Sequence, residues 1–203
     1  MADKENPLWD ALKEALDRRG VRHVTDWPAG AHVSLFWKQD TFLVVGVYNS
    51  RPPHRFWGLQ SAVVDAIVAM DTQAMVCRFL FQDEDAGGVL VTSAQLRRML
   101  PGLSHAQPVA TDGRRRPLDE ALGLGSRPRL RSLSYKVEPR HLPSSAPHLR
   151  SRAIVDELEG SLADLAPDPA FDPVVLVHPE RRDRWSYRVQ RRLKALREGT
   201  GEQ

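Results

Sequence analysis

Three groupings of residues in this chain of 203 have types and spacings that can do chemistry. The first is His23, Asp26 and His32, two imidazoles and a carboxylate around a Pro-Gly turn, the ligand types of a small metal site. Spacings of 3 and 6 residues across such a turn are unspecific, so surface or hydrogen-bonded histidines are the plainer expectation. The second is a run of arginines among prolines: Arg114, Arg115, Arg116, Arg127, Arg129 and Arg131. The third is a cluster near the C-terminus: Arg181, Arg184, Arg188, Arg191 and Arg192. Fixed positive charge of this density can neutralise nucleic-acid phosphates, dock on an acidic partner, or belong to a solvated linker.

Signatures of catalysis are missing. The chain has no G-x-x-x-x-G-K-[ST] phosphate loop, no G-x-G-x-x-G, no H-E-x-x-H and no G-x-S-x-G. Gly87-Gly88 and Gly123-Leu124-Gly125 read as turn residues. The single cysteine, Cys77, lies in the apolar run Met75–Phe81; it cannot form an internal disulfide or a multi-thiolate zinc site, and it reads as core. No catalytic residue, metal ion or cofactor is therefore expected.

The charge is unevenly placed. Residues 1–112 carry 11 basic and 13 acidic groups, residues 113–152 carry 10 and 3, and residues 153–203 carry 8 and 10, so the formal net charge of +3 arises in the middle segment. Arginine outnumbers lysine 24 to 5, a bias typical of high-GC genomes and a pointer to a bacterial source. No run approaches the roughly 20 apolar residues that span a bilayer. The N-terminus is polar and lacks the apolar core of a signal peptide, which predicts a cytoplasmic protein with no membrane partner.

The elements that must position these groups follow from periodicity. Asn6 and Pro7 open a helix whose apolar face is Leu8, Trp9, Leu12, Ala15 and Leu16, and Gly20 closes it. Val21–Thr25, His32–Trp37 and Thr41–Tyr48 read as strands, the last two as a hairpin about Lys38-Gln39-Asp40. The third run is almost wholly apolar, as a strand covered on both faces must be. A helix is expected over 56–70, with Gln60 inside its apolar arc. Strands at 74–81 and 89–92 follow, and then a short helix capped by Ser93. The fold class is thus α+β, an α-β-β-β-α-β-β-α domain over 1–102 with a mainly antiparallel sheet. Residues 103–152 read as a basic, Pro-rich linker or arm, broken by a helical turn at 118–122 and a strand at 133–137. Residues 153–203 read as helix, strand (174–177) and helix. On the last helix, with Trp185 at 0°, Val189, Leu193 and Leu196 fall between about 20° and 80° and form a docking stripe. The five C-terminal arginines fall between about −20° and −120°, one contiguous quadrant beside it.

The order of elements resembles three known groups. Helix–strand–hairpin–helix is compatible with the restriction-endonuclease-like core, which implies an acid on one strand and an acid-x-Lys triplet on the next, holding Mg²⁺. Asp26 can supply the first acid, but the triplet position reads Val47-Tyr48-Asn49; only Asp40 or Asp65 migrating into the role would restore a divergent nuclease-like enzyme. The α-β-β-β-α order resembles double-stranded-RNA-binding domains, with Arg51, His54 and Arg55 where those domains grip phosphates, though Pro52 and Pro53 depart from their lysine-rich pattern. The full order resembles secretion-chaperone-type folds, dimeric scaffolds without catalysis. The leading expectation is a non-enzymatic bacterial binding protein contacting nucleic acid through the arm and the C-terminal helix. The alternative is a chaperone-like adaptor, possible as a homodimer, that binds a protein partner.

Overall fold

The computed structural model describes residues 7–26, 33–50, 56–60, 72–83, 87–106, 134–173 and 182–199. Their architecture is α+β, with three layers about a mixed sheet of six strands in the order β1-β2-β3-β5-β6-β9. These are β1 (Arg22–Asp26), β2 (Val33–Lys38), β3 (Thr41–Asn49), β5 (Met75–Gln82), β6 (Gly87–Thr92) and β9 (His148–Arg150). Only β3 and β5 run parallel among these pairs; the others are antiparallel. A second sheet, β4-β8-β7, comprises β4 (Trp57–Gln60), β8 (Ser134–Val137) and β7 (Ser104–Ala106). Four α-helices are described, α1 (Pro7–Asp17), α2 (Ser93–Met99), α3 (Ser151–Gly160) and α4 (Arg182–Arg197), with short 3-10 turns at Leu100–Gly102 and Pro139–His141.

β3 is the pivot, because its alternating residues feed two different cores. Phe42, Val44 and Tyr48 point into one cluster with Trp57, Leu59, Val137, Leu96, Val189 and Leu193. Leu43, Val45 and Val47 point into the other with Trp9, Leu12, Leu16, Ile154, Val155 and Leu158. Hence α1 and α3 cover one face, while the second sheet, α2 and α4 cover the other. Every residue from Thr41 to Tyr48 is buried, as the unbroken apolar run requires. The β2–β3 hairpin closes through Gln39 (φ 49°) and Asp40 (φ 59°), two left-handed residues in succession, the turn whose twist matches the strands it joins. At the β5–β6 hairpin a Cβ on Gly88 would lie 2.5 Å from the Phe81 carbonyl oxygen, so only glycine fits there.

Two expectations need correction. Residues 57–60 are a strand, not the start of a helix: Trp57 pairs with Val137 and Leu59 with Tyr135, and both side chains are buried on the same face. The apolar pattern at Phe56 and Leu59 suits either period over so short a run, and the partner strand decides it. Residues 61–70 of that helix lie outside the described set, and so does the side chain of Gln60. The cap of α2 is Thr92 rather than Ser93; Gln95 N donates to Thr92 Oγ1 (3.2 Å) and Thr92 N to Gln95 Oε1 (2.9 Å), a reciprocal capping box. Within the basic segment, the strand expected at 133–137 is β8, and β9 extends the main sheet by pairing with β6. The helical turn at 118–122 and the strand at 174–177 lie outside the described residues. Among the described residues no helix is long and apolar enough to cross a membrane.

Candidate nucleic-acid interface

α4 carries seven basic residues and one acid in its 16 positions, so it cannot neutralise itself. What holds it in place is the docking stripe. Val189 and Leu193 are buried in the core beneath the sheet, and Leu196 packs against the same cluster. One flank of the stripe is tied down by polar contacts. Arg197 Nε donates to Asp40 Oδ1 at 2.7 Å, and Trp37 Nε1 donates to the same oxygen at 3.2 Å, so the hairpin turn receives the end of the helix. Gln190 Nε2 donates to Asp172 Oδ2 at 3.4 Å on the same flank. Between that flank and the 169–173 loop lies a cleft of about 350 Å³.

The other flank is the arginine quadrant. Arg188 and Arg191 are exposed and Arg192 is half-buried. None of the three makes an ion pair among the described residues. Of the remaining expected contacts, Arg184 lies in α4 with its side chain outside the described set. Arg181, Arg114, Arg115, Arg116, Arg127, Arg129 and Arg131 lie outside it altogether. The structure therefore brings together three of the eleven expected arginines. Two further exposed residues on this helix were not among the expected contacts: Lys194, and Tyr187, whose side chain is 66% exposed. On the same wheel Lys194 falls at about 180° and Tyr187 at about −160°, both outside the stripe, and that position was the available signal; Lys194 also lines the cleft beside Gln190 and Arg197.

On the opposite layer Arg18 and Arg152 are likewise exposed with no ion pair among the described residues, whereas Arg19, Lys38 and Arg22 are paired. Arg19 Nη1 meets Asp156 (2.6 Å) and Glu159 (2.9 Å) of α3, and Lys38 Nζ meets Glu159 at 2.9 Å. Hydrogen bonds from Lys38 and then Arg19 hold the Glu159 carboxyl below its usual range. Arg22 pairs with Asp17 at 2.7 Å.

The His23–Asp26 grouping forms a closed polar knot. Asp26 Oδ1 accepts from His23 Nε2 at 3.0 Å, from Ser34 Oγ, and lies 3.1 Å from Lys13 Nζ. Partial burial raises the pKa of this carboxyl, yet hydrogen bonds from His23 and Ser34, the charge of His23 and the Lys13 contact outweigh it, so the group sits well below the usual carboxylate range. His32 lies outside the described residues, among which no three His, Cys, Asp or Glu side chains gather as a metal site. The triplet position of a restriction-endonuclease-like site holds Val47 and Tyr48, both buried, and exposed Asn49. Asp40 sits at the hairpin turn, the far end of β3 from that position, and Asp65 is outside the described residues. The Tyr48 hydroxyl is buried with no hydrogen-bond partner among the described residues, and burial pushes its pKa up, which keeps it protonated and unfit as a base. Cys77 is fully buried. No family model, curated protein or solved structure matches this chain.

Proposed function

We propose that this is a non-enzymatic, cytoplasmic binding protein that contacts nucleic-acid phosphates through the arginine flank of α4, extended by the basic segment 113–152. The observation that carries the reading is the exposed pair Arg188 and Arg191 beside Arg192, without a carboxylate partner among the described residues, on a helix fixed from its opposite side. A guanidinium presented this way has its donors free for phosphate oxygens, and the anchored helix fixes their spacing. Neutralised phosphates release counterions, so affinity must fall steeply with salt.

The test is fluorescence anisotropy with labelled duplex and single-stranded oligonucleotides over a salt series, comparing the wild type with R188E/R191E/R192E. Wild-type binding is expected at low salt. The triple variant should lose at least tenfold in affinity, and its log–log salt slope should flatten by about 2–3, near 0.7–0.9 for each lost phosphate contact. Absence of binding to every oligonucleotide at low salt overturns the proposal, and so does an unchanged triple variant. A protein that co-purifies in stoichiometric amount, with no nucleic acid, would replace it by the adaptor reading.

A further inference from the structure

Arginines grip the backbone of duplexes and single strands alike, so they leave open which form α4 holds. Tyr187 bears on that choice. Its side chain is 66% exposed, and it stands out as the exposed large hydrophobic side chain of the described surface. The core-facing side of α4 takes Val189 and Leu193, so the ring is not needed for docking. Its neighbours on the outer face are cations. Arg191 follows it by four positions and Lys194 by seven, so the three side chains lie on one stripe, with successive Cβ atoms about 5–6 Å apart. Arg191 is exposed and has no ion pair among the described residues. Lys194 lies 3.8 Å from Glu198, a loose pair between exposed groups that a phosphate can displace.

Resting on the nucleic-acid reading above, we infer that Tyr187, Arg191 and Lys194 form a stacking platform for single-stranded nucleic acid. A base stacks on the ring of Tyr187 while Arg191 and Lys194 take the adjoining phosphates. The chemistry discriminates by strandedness. Every base has a π-face, but in a duplex both faces are already stacked, and only an unpaired strand can offer one to an exposed side chain. A ring projecting from a convex helix also gives no shape that fits a groove better than a smaller side chain would. Charge complementarity brings the strand to the stripe, and the ring then favours the unpaired form. Base identity is not read, because stacking tolerates all four bases.

The experiment compares wild type, Y187A, Y187F and R191A, each confirmed folded by thermal unfolding, on a mixed-sequence single strand and a two-stranded, fully paired blunt duplex of equal length. Y187A should weaken single-strand binding about five- to hundredfold, the range measured for removing one stacked aromatic, and leave duplex binding within twofold. Y187F should bind as wild type, since the phenol hydroxyl has no part in stacking. The salt slope of Y187A should stay unchanged, whereas R191A should lower it by about 0.7 on the single strand. Photo-crosslinking of a 5-iodouracil-containing single strand should place the adduct on Tyr187. The inference is overturned if Y187A weakens both forms equally, or neither, or if the adduct maps elsewhere. Such a result with R191A and the triple arginine variant still weakened leaves the phosphate-contact reading standing. Loss of all binding in the wild type removes both.

Discussion

Two sets of cations, one on each side of the main sheet, differ in their partners. On the layer of α1 and α3, Lys13, Arg19, Arg22 and Lys38 each meet a carboxylate, and Glu159 alone serves both Arg19 and Lys38. On α4, Arg188, Arg191 and Arg192 stand three and four positions apart with no carboxylate among the described residues to meet them. Exposed like charges at those spacings cost a helix about 0.2–0.5 kcal/mol per pair. Folding gains nothing from that arrangement, and Arg19 and Lys38 show how it is avoided. The difference separates cations that finish the fold by pairing from cations that the proposed function assigns to a partner.

The largest effect that can break the comparison comes from the apolar seats of the two helices. Leu193 of α4 and Leu158 of α3 are both buried, on opposite faces of the sheet. Leu193→Ala and Leu158→Ala should each reduce the free energy of unfolding by about 2–5 kcal/mol, measured by urea denaturation. Under conditions where both remain folded, only Leu193→Ala should weaken nucleic-acid binding, because it alone loosens the helix that spaces the arginines. Equal loss of binding in Leu158→Ala would mean that the basic surface is not confined to the α4 side.

The extent to which this layout was legible in the sequence follows the range of the information. The run Thr41–Tyr48 announced a strand covered on both faces because burial on two faces leaves no polar position. The stripe Val189, Leu193, Leu196 announced the seated side of α4 because 3.6 periodicity is local. β4 was misread because Trp57 and Leu59 acquire their strand character from β8, more than 70 residues further on. The pairing state of the arginines is more remote still: Arg19 finds Glu159 at a separation of 140 residues, and no local pattern records it. Tyr187 escaped notice for a different reason. An aromatic is ordinarily assigned to the core, and its wheel position away from the stripe is a weak signal that the docked helix makes plain.

A smaller effect tests whether paired cations are truly out of use. Glu159→Gln removes the carboxylate shared by Arg19 and Lys38 and leaves Asp156 as the partner of Arg19. Partly exposed ion pairs contribute little, so the thermal midpoint should fall by only a few degrees. At about 0.1 M salt, where charges more than about 10 Å apart are largely screened, affinity for either form of nucleic acid should change by less than about twofold. A rise well beyond that would show that the α3 layer can also bind phosphate once its acid is gone.

The smallest effect concerns acid, and it contrasts the sides by titration. Asp26 is held below its ordinary pKa by His23, Ser34 and Lys13, against the opposing effect of burial. A carboxyl whose folded pKa lies below its unfolded value of about 3.9 binds fewer protons folded than unfolded between those two values. Its contribution is therefore complete above about pH 4 and is lost as the pH falls toward the folded value. The difference in thermal midpoint between wild type and Asp26→Asn should close as the solution is acidified below about pH 4. A gap that persists at the acid end would mean that Asp26 acts through shape and not through charge. Nucleic-acid binding, measured in parallel, should stay flat from pH 8 to pH 5, because guanidinium groups keep their proton throughout that range. If affinity instead rose on acidification with the midpoint near that of histidine, the charge doing the binding would not be the arginine flank of α4.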